Sequence, residues 1–497
     1  LWMIRFIPLS LALIYMSIIL WKDLKKWVYI MIGIIIILDI LPSYQYIYAE
    51  PEKRVTDVRQ AQYNKAEALA IVQAKEVTQQ RMTLFDLSTY GAFAPYYVSG
   101  VEPKVQYTFG AGWEGARTAS NIVQINSALT YGNYYFLFDR CLELGDDTIL
   151  FRIDYLENKE RDIEQLIKAG KQSGYDLVLQ TGHSMVFHRE IGESFGTIVT
   201  YKNIAIGEAA KNISLLFPSF KEGNSTNLSD YTFEELKNYD KIYLSDFTYN
   251  QGDDIESILR KLAENGVQIY IDMNKIPVNS KTNRNEILGV SAQVIAFHEN
   301  FPSLYYLGKV YQPQEFSSEE EELKEEITDE VISWNTVYLD GITHIDGYCT
   351  LNDTQLVFAG TGKYDNIHFL GFNLLYHALI SNDVEITKLL TELFGDKLED
   401  IPMRVPVPLE IEFLPDRIII DSKYDNVNTA LALIDIFHSD KPLVQDNNLL
   451  VVNKGRTIIH IKYPYLKESL FLSISGIIAT AIYLIITYRV FHKKSDK

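Results

Sequence analysis

Cysteine is nearly missing from this chain. Cys141 and Cys349 are the only two in 497 residues, too few for the disulfide framework of a small secreted domain. Exported eukaryotic proteins of this size usually carry more, so an exported body with two thiols points to a Gram-positive bacterium. Histidine is sparse as well, with nine scattered residues. Only His183 and His188 are close, on a turn-and-strand stretch where their side chains do not converge as they would on a helix. No metal and no cofactor is expected. Positive charge is also in deficit: 46 Lys and Arg stand against 65 Asp and Glu, a net −19. That balance argues against nucleic acid or anionic lipid as the partner of the body. A phosphate-binding loop is lacking too. Gly360-Thr361-Gly362 has no Lys-Ser/Thr pair after it and reads as a tight turn.

Long apolar runs are absent from the middle of the chain and present at its ends. Trp2–Leu20, Trp27–Tyr48 and Leu470–Tyr488 are each long enough to cross a bilayer. The link Lys22-Asp23-Leu24-Lys25-Lys26 and the tail with Arg489, Lys493, Lys494 and Lys497 are basic. Basic residues beside span ends mark the cytoplasmic side. Both clusters therefore sit inside, and the acidic body between the spans lies outside the cell membrane. The first span has no cleavage site of small residues, and a second span follows at once, so it reads as a membrane helix rather than a signal peptide. The chain starts with Leu and is read as the C-terminal part of a longer protein.

The body alternates strand and helix patterns. After a polar helix over Glu52–Gln80 and a Gly- and aromatic-rich stretch over 81–118, residues 119–144 read as helix, broken at Gly132-Asn133. Asp147–Ile153 is an apolar strand, Lys159–Ser173 an amphipathic helix, and Tyr175–Gln180 and Met185–His188 are further strands. A second set runs from strand Ile204–Gly207 and helix Glu208–Phe217. It continues through a capping box at Thr232-Phe233-Glu234-Glu235, strand Lys241–Ser245, helix Asp253–Glu264 and strand Val267–Asp272. Ile242, Leu244, Ile269 and Ile271 are expected buried in neighbouring parallel strands. Gln355–Gly360 and Asn366–Gly371 read as strands, Phe372–Ile380 and Asp383–Phe394 as helices, and Ser317–Glu326 as a solvated acidic run. From Ile401 the pattern turns to strands. The fold class this implies is α/β and membrane-anchored, with transmembrane helices at both ends. Between them lie a flavodoxin-like parallel-sheet body and a small β domain before the last span. The corresponding divisions are 1–49, 50–200, 201–396, 397–466 and 467–497.

Two stretches carry a resemblance. Phe109-Gly110-Ala111-Gly112-Trp113-Glu114-Gly115-Ala116, with Tyr134 to Gly145 after it, resembles the bacterial membrane family called 6-pyruvoyl-tetrahydropterin synthase-related. Its members resemble C-type glycosyltransferases and occur in surface-polysaccharide settings. Tyr239–Leu244 and Gly266–Asp272 are similar to glutamine-amidotransferase-like domains of exported bacterial proteins. The resemblance implies the extracytoplasmic part of a glycosyltransferase-like membrane protein serving surface or exopolysaccharide synthesis or export. The catalytic spans would then lie upstream of Leu1. Lipid-linked sugar or polysaccharide and other polysaccharide-synthesis proteins would be its partners. A non-catalytic envelope scaffold is the alternative.

Active amidotransferase chemistry needs a Cys on a sharp strand-to-helix turn. The matching turns read Ser245-Asp246-Phe247 and Ala359-Gly360-Thr361-Gly362, and neither cysteine is so placed, so this domain is expected to lack that chemistry. The candidate ligand residues are Arg81, Asp86, Trp113, Glu114, Asp139 and Arg140. Aromatic rings stack on sugars, and paired acids and guanidinium groups take hydroxyls or phosphates. Asp139-Arg140 reads equally as a structural ion pair. Asp39, near the outer end of the second span, is either a membrane carboxylate with a partner or a solvated interface group.

Overall fold

The computed structural model describes residues 66–84, 98, 102–108, 117–153, 156, 159–250, 254–279, 283–298, 300–316 and 333–495. Trp2–Leu20, Trp27–Tyr48, the acidic run Ser317–Glu326, and Asp39, Asp86, Trp113 and Glu114 lie outside the described residues. The chain divides at residue 68, and all that follows concerns the unit from Leu69 onward, entered along helix Ala66–Val77.

Three sheets organise this unit. The first holds Gln106–Thr108, Arg81–Leu84, Thr148–Arg152, Ser184–His188 and Asp176–Gln180, in that order. Its first three strands are parallel, and Ser184–His188 then runs antiparallel to both of its neighbours. Helices Tyr134–Glu143 and Lys159–Gln172 contribute to the core beside it. There the Phe138 ring lies 5.2 to 5.7 Å from Phe187, Tyr175 and Phe151.

The second sheet is mixed. Phe220–Glu222, Asn203–Ile206, Lys241–Leu244, Gln268–Asp272 and Ile367–Leu370 are mutually parallel. Ile269 pairs with Ile242 and Ile271 with Leu244, all four fully buried as the apolar pattern predicts. Beyond Ile367–Leu370 the sheet turns antiparallel through Thr354–Thr361, Trp334–Asp340 and Val290–Phe297. Strand His344–Leu351 pairs with Thr354–Thr361 and carries a small hairpin, Leu304–Tyr306 with Lys309–Tyr311.

In the third sheet, Met403–Leu414 pairs over its first half with Phe195–Thr200 and over its second half with Arg417–Ser422. One long strand thus joins two halves of an eight-stranded antiparallel sheet, with Val407, Leu409, Ile420 and Leu450 in the core between them.

The expected flavodoxin-like parallel body is therefore corrected. β-sheet dominates, and parallel pairing covers only part of two of the three sheets. The added strands were hidden because their alternation is weak: Val290–Phe297 reads Val-Ser-Ala-Gln-Val-Ile-Ala-Phe, with half-exposed apolar positions on both faces. The helix expected over Glu208–Phe217 is only a 3-10 turn, Ala210–Asn212, and one turn of α-helix, Ile213–Leu216. Of the spans expected at the two ends, those at the N-terminal end lie outside the described residues. Among the described residues one helix is long and apolar enough to cross a membrane. It is Leu466–Ser495, whose 20-residue stretch Leu466–Ile485 is not buried by any of the described residues. Its apolar side chains, such as Phe471, Ile474 and Ile477, face outward, as a lipid-facing helix requires.

Candidate functional site

The sequence-derived candidates are not one site. Asp139 and Arg140 sit side by side on helix Tyr134–Glu143, yet each takes a different partner. Arg404 Nε and Nη2 donate to Asp139 Oδ1 and Oδ2 at 2.9 and 3.0 Å. Arg140 Nη1 donates to Glu143 Oε2 at 2.9 Å and to Tyr201 Oη at 3.0 Å. Arg404 Nη2 shares that Tyr201 oxygen, and Asn447 donates to Glu143. Burial would raise the Glu143 carboxyl, but Arg140 and Arg404 outweigh it and hold it below the usual carboxylate range. All of these charged side chains are buried. The cluster clamps the helix to the third sheet, and Arg140, Glu143 and Tyr201 also line a cavity of about 280 Å³. Arg81 is likewise occupied: its Nη1 donates to the carbonyls of Leu144 and Ala430 at 2.5 and 3.1 Å.

Both cysteines are buried and free. Burial pushes the Cys141 thiol well up and that of Cys349 to about 12. Neither is a thiolate at neutral pH. Among the described residues no group of three or more His, Cys, Asp or Glu side chains is placed to hold a metal ion.

A different site emerges from the second sheet. In parallel sheets, ligands lodge beyond the carboxyl ends of the strands. Here Ile206 pairs with Leu244, and Leu244 with Ile271, so three strands end level. Beyond them opens a cleft of about 770 Å³, within the range of roughly 300–1,000 Å³ typical of organic-ligand sites.

The first wall is polar. Directly after Lys241–Leu244, Ser245 is buried and Asp246 takes the left-handed conformation, φ +53°, which Asp adopts more readily than most residues. Gly207 closes the neighbouring strand at φ +125°, and a Cβ there would collide with the Ser245 carbonyl, so only glycine allows the two strand ends to approach. Asp246 meets Lys275 at 3.2 Å. Asp272, at the end of the third strand, accepts from Ser245 Oγ and from the Asn274 N–H, both at 2.9 Å. Burial pushes its carboxyl up to about 6 against those hydrogen bonds, with Asp246 adding in the same direction. Asp272 thereby fixes the turn that presents Asn274 and Lys275 to the cleft.

The second wall is mostly apolar: Phe316, Trp334, Leu375, Leu379 and Ile380. Behind it, His377 Nε2 and Asp383 Oδ2 lie 3.0 Å apart, both fully buried. Burial alone would raise Asp383, but His377 and the N–H groups of Gln314 and Ile386 outweigh it and lower it. The His377 ring packs on Trp334 with centroids 4.4 Å apart and so backs the indole. Among the described residues, two buried groups of the cleft lining have no hydrogen-bond partner, Trp334 Nε1 and Thr336 Oγ1.

Sequence reasoning missed Asp272, Lys275, Trp334 and Thr336 as site residues. Asp246 lay in a turn weighed only for a missing cysteine.

Residues 66–200 match the family profile of a domain of unknown function, DUF8559, and residues 202–377 that of another, DUF8560. No curated protein matches the chain. Among solved structures, alpha-L-fucosidase isoenzyme 2 from Paenibacillus thiaminolyticus aligns at 7% identity with a TM-score of 0.30, covering 76% of this chain and 71% of that one. The beta-galactosidase from the psychrophilic Marinomonas ef1 aligns at 11% identity with a TM-score of 0.23, over 54% of this chain and 38% of that one. At such scores neither likeness bears on fold or chemistry. The chain thus joins a segment similar to one uncharacterised domain directly to a segment similar to another, the boundary falling between strands Phe195–Thr200 and Asn203–Ile206.

Proposed function

We propose that this is a membrane-anchored binding protein whose cleft beyond the parallel strands takes a neutral, hydroxyl-rich ligand of the saccharide class. The observation that carries this reading is the set of accessible side-chain amides lining the cleft, Asn212, Asn274 and Asn335, opposite a mostly apolar wall. Each amide both donates and accepts hydrogen bonds, which matches a ligand rich in hydroxyls. A sugar offers a hydroxyl edge and a C–H face. The amides of Asn212, Asn274 and Asn335, with Asp246, suit the edge, while Tyr376 and Phe316 suit the face. The acidity of the chain disfavours an anionic ligand.

The resemblance to the 6-pyruvoyl-tetrahydropterin synthase-related family supplies a setting. In it the chain is the extracytoplasmic part of a glycosyltransferase-like protein serving surface polysaccharide. Lipid-linked sugar or polysaccharide is then the ligand, and other synthesis proteins are its neighbours. The basic tail after the apolar helix supports the orientation, with the body outside. Binding rather than bond cleavage is assigned to the cleft, because Asp272 has both oxygens engaged by protein donors and Asp246 is paired with Lys275.

The test is titration of the full chain in detergent with a panel of neutral oligosaccharides, read by calorimetry and tryptophan fluorescence. Asn335→Ala, which removes one exposed amide of the cleft lining, should weaken binding about tenfold, the worth of one good hydrogen bond. Equal affinity in the variant would place the ligand elsewhere, and no binding across the panel would favour the scaffold reading.

A further inference from the structure

The third sheet ends against the start of the apolar helix. Strand Gly455–Ile461 finishes with the Ile461 N–H donating to the Asp416 carbonyl at 2.8 Å, and the Lys462 N–H then donates to the Ile436 carbonyl at 2.9 Å. Four residues, Lys462 to Tyr465, separate that strand end from Leu466. Fully extended, they reach no more than about 14 Å. The turn between Met403–Leu414 and Arg417–Ser422 is therefore tethered close to the first turn of the helix.

Three large aromatic side chains are exposed at this end. Phe413 is 56% exposed, Tyr463 55% and Tyr465 77%. Arg417, Lys462 and Lys467 are exposed among them. Glu412, Asp416 and Glu468 are exposed there too, Asp416 lying 3.8 Å from Arg417, and Asp435 is paired with Arg117 at 2.5 Å, so the charges at this end balance. Exposed aromatic rings among charges of both signs suit the zwitterionic headgroup level of a bilayer.

We propose that this end of the sheet is a lipid-contacting rim: the Phe413 turn rests in the headgroup layer of the same bilayer that Leu466–Ile485 enters, beside Tyr463 and Tyr465. The occupant is the bilayer because the surface is continuous with the one helix whose outward face already requires lipid. The inference rests on that helix crossing the membrane. The rim would hold the sheet close to the membrane surface and limit the tilt of the body on its anchor.

The experiment uses the full chain reconstituted in phosphatidylcholine vesicles. Single cysteines from Phe413→Cys, Ile474→Cys and Tyr305→Cys carry an environment-sensitive dye, with Cys141 and Cys349 buried and unlabelled. Nitroxide lipids quench either at headgroup depth or deep in the chains. The dye at 413 should lose most of its emission to the headgroup nitroxide, the dye at 474 to the deep nitroxide, and the dye at 305, on the hairpin of the second sheet, to neither. An unquenched 413 beside a quenched 474 overturns the rim and leaves the anchor standing. An unquenched 474 overturns the anchor, and the rim with it. Equal headgroup quenching at 413 and 305 also overturns the rim, since contact would then not be confined to this end of the sheet.

Discussion

Arg404 and Asp139 lie 265 residues apart in the chain and meet through two parallel hydrogen bonds in the interior. Their fork geometry holds the helix of the first region to the long strand of the third sheet. Removing one partner strands a buried charge. Asp139→Ala should therefore destabilise the chain by about 3–5 kcal/mol. Arg404→Lys should recover little, because an ammonium cannot make both bonds. Urea unfolding followed by tryptophan fluorescence measures both. A loss below about 1 kcal/mol, as for an exposed pair, would contradict the clamp.

Asp272 gives the cleft a pH signature. Its folded carboxyl titrates at about 6, above the unfolded value near 3.9. The folded state then holds a proton that the unfolded state has lost, so stability falls as pH rises from about 4 to about 6 and levels off above. A rise of that size corresponds to roughly 3 kcal/mol. Asp272→Asn should remove that part of the slope. The check is the difference in unfolding midpoint between acid and neutral pH, compared between the two proteins; parallel slopes would disprove it.

The thiols should be silent in the folded chain. Burial and raised pKa values leave neither Cys141 nor Cys349 as a reactive thiolate. A chromogenic disulfide reagent should detect no thiol in native protein and both after guanidinium unfolding. Cys141→Ser with Cys349→Ser should bind the same oligosaccharides. Rapid modification of the native protein would reopen thiol chemistry.

Orientation can be read by labelling. The proposed topology puts Asn224, exposed on the second region, outside the cell, and Lys494, in the last turn of helix Leu466–Ser495, inside. Asn224→Cys should react with an impermeant maleimide on intact cells. Lys494→Cys should react only after lysis, and the opposite pattern would invert the protein.

How much of this was legible beforehand follows from the range of each interaction. Ile242, Leu244, Ile269 and Ile271 announced buried parallel strands because runs buried on both faces are apolar at every position. Val290–Phe297 and Trp334–Asp340 did not announce themselves: in the first, Ile295 and Phe297 share a face with Ser291 and Gln293, and in the second polar and apolar residues mix on both faces. Asp139 and Arg140 stood out as charges in an apolar helix. Glu143, the partner of Arg140, stands three residues on along the same helix; Arg404, the partner of Asp139, became visible only once the fold had placed the third sheet beside that helix. The cleft was the least legible part. Asp246, Asp272 and the pair Trp334 and Thr336 come from three different strands or their ends, and no local spacing links the three. The left-handed turn at Asp246 needs no glycine, so it left no mark in the sequence.

The strand Phe195–Thr200 has a consequence for the order of biosynthesis. It pairs with Met403–Leu414 on one side, and Asn428 bridges to Thr197 on the other, so neither neighbour exists when it leaves the ribosome. Roughly two hundred residues must follow, which at about 5–20 residues per second is a wait on the order of 10–40 s. Throughout that interval its backbone is an open edge able to capture another strand. A chaperone that holds nascent chains, or the completed second sheet lying close by, has to guard it. A fragment ending near residue 400 would never close it.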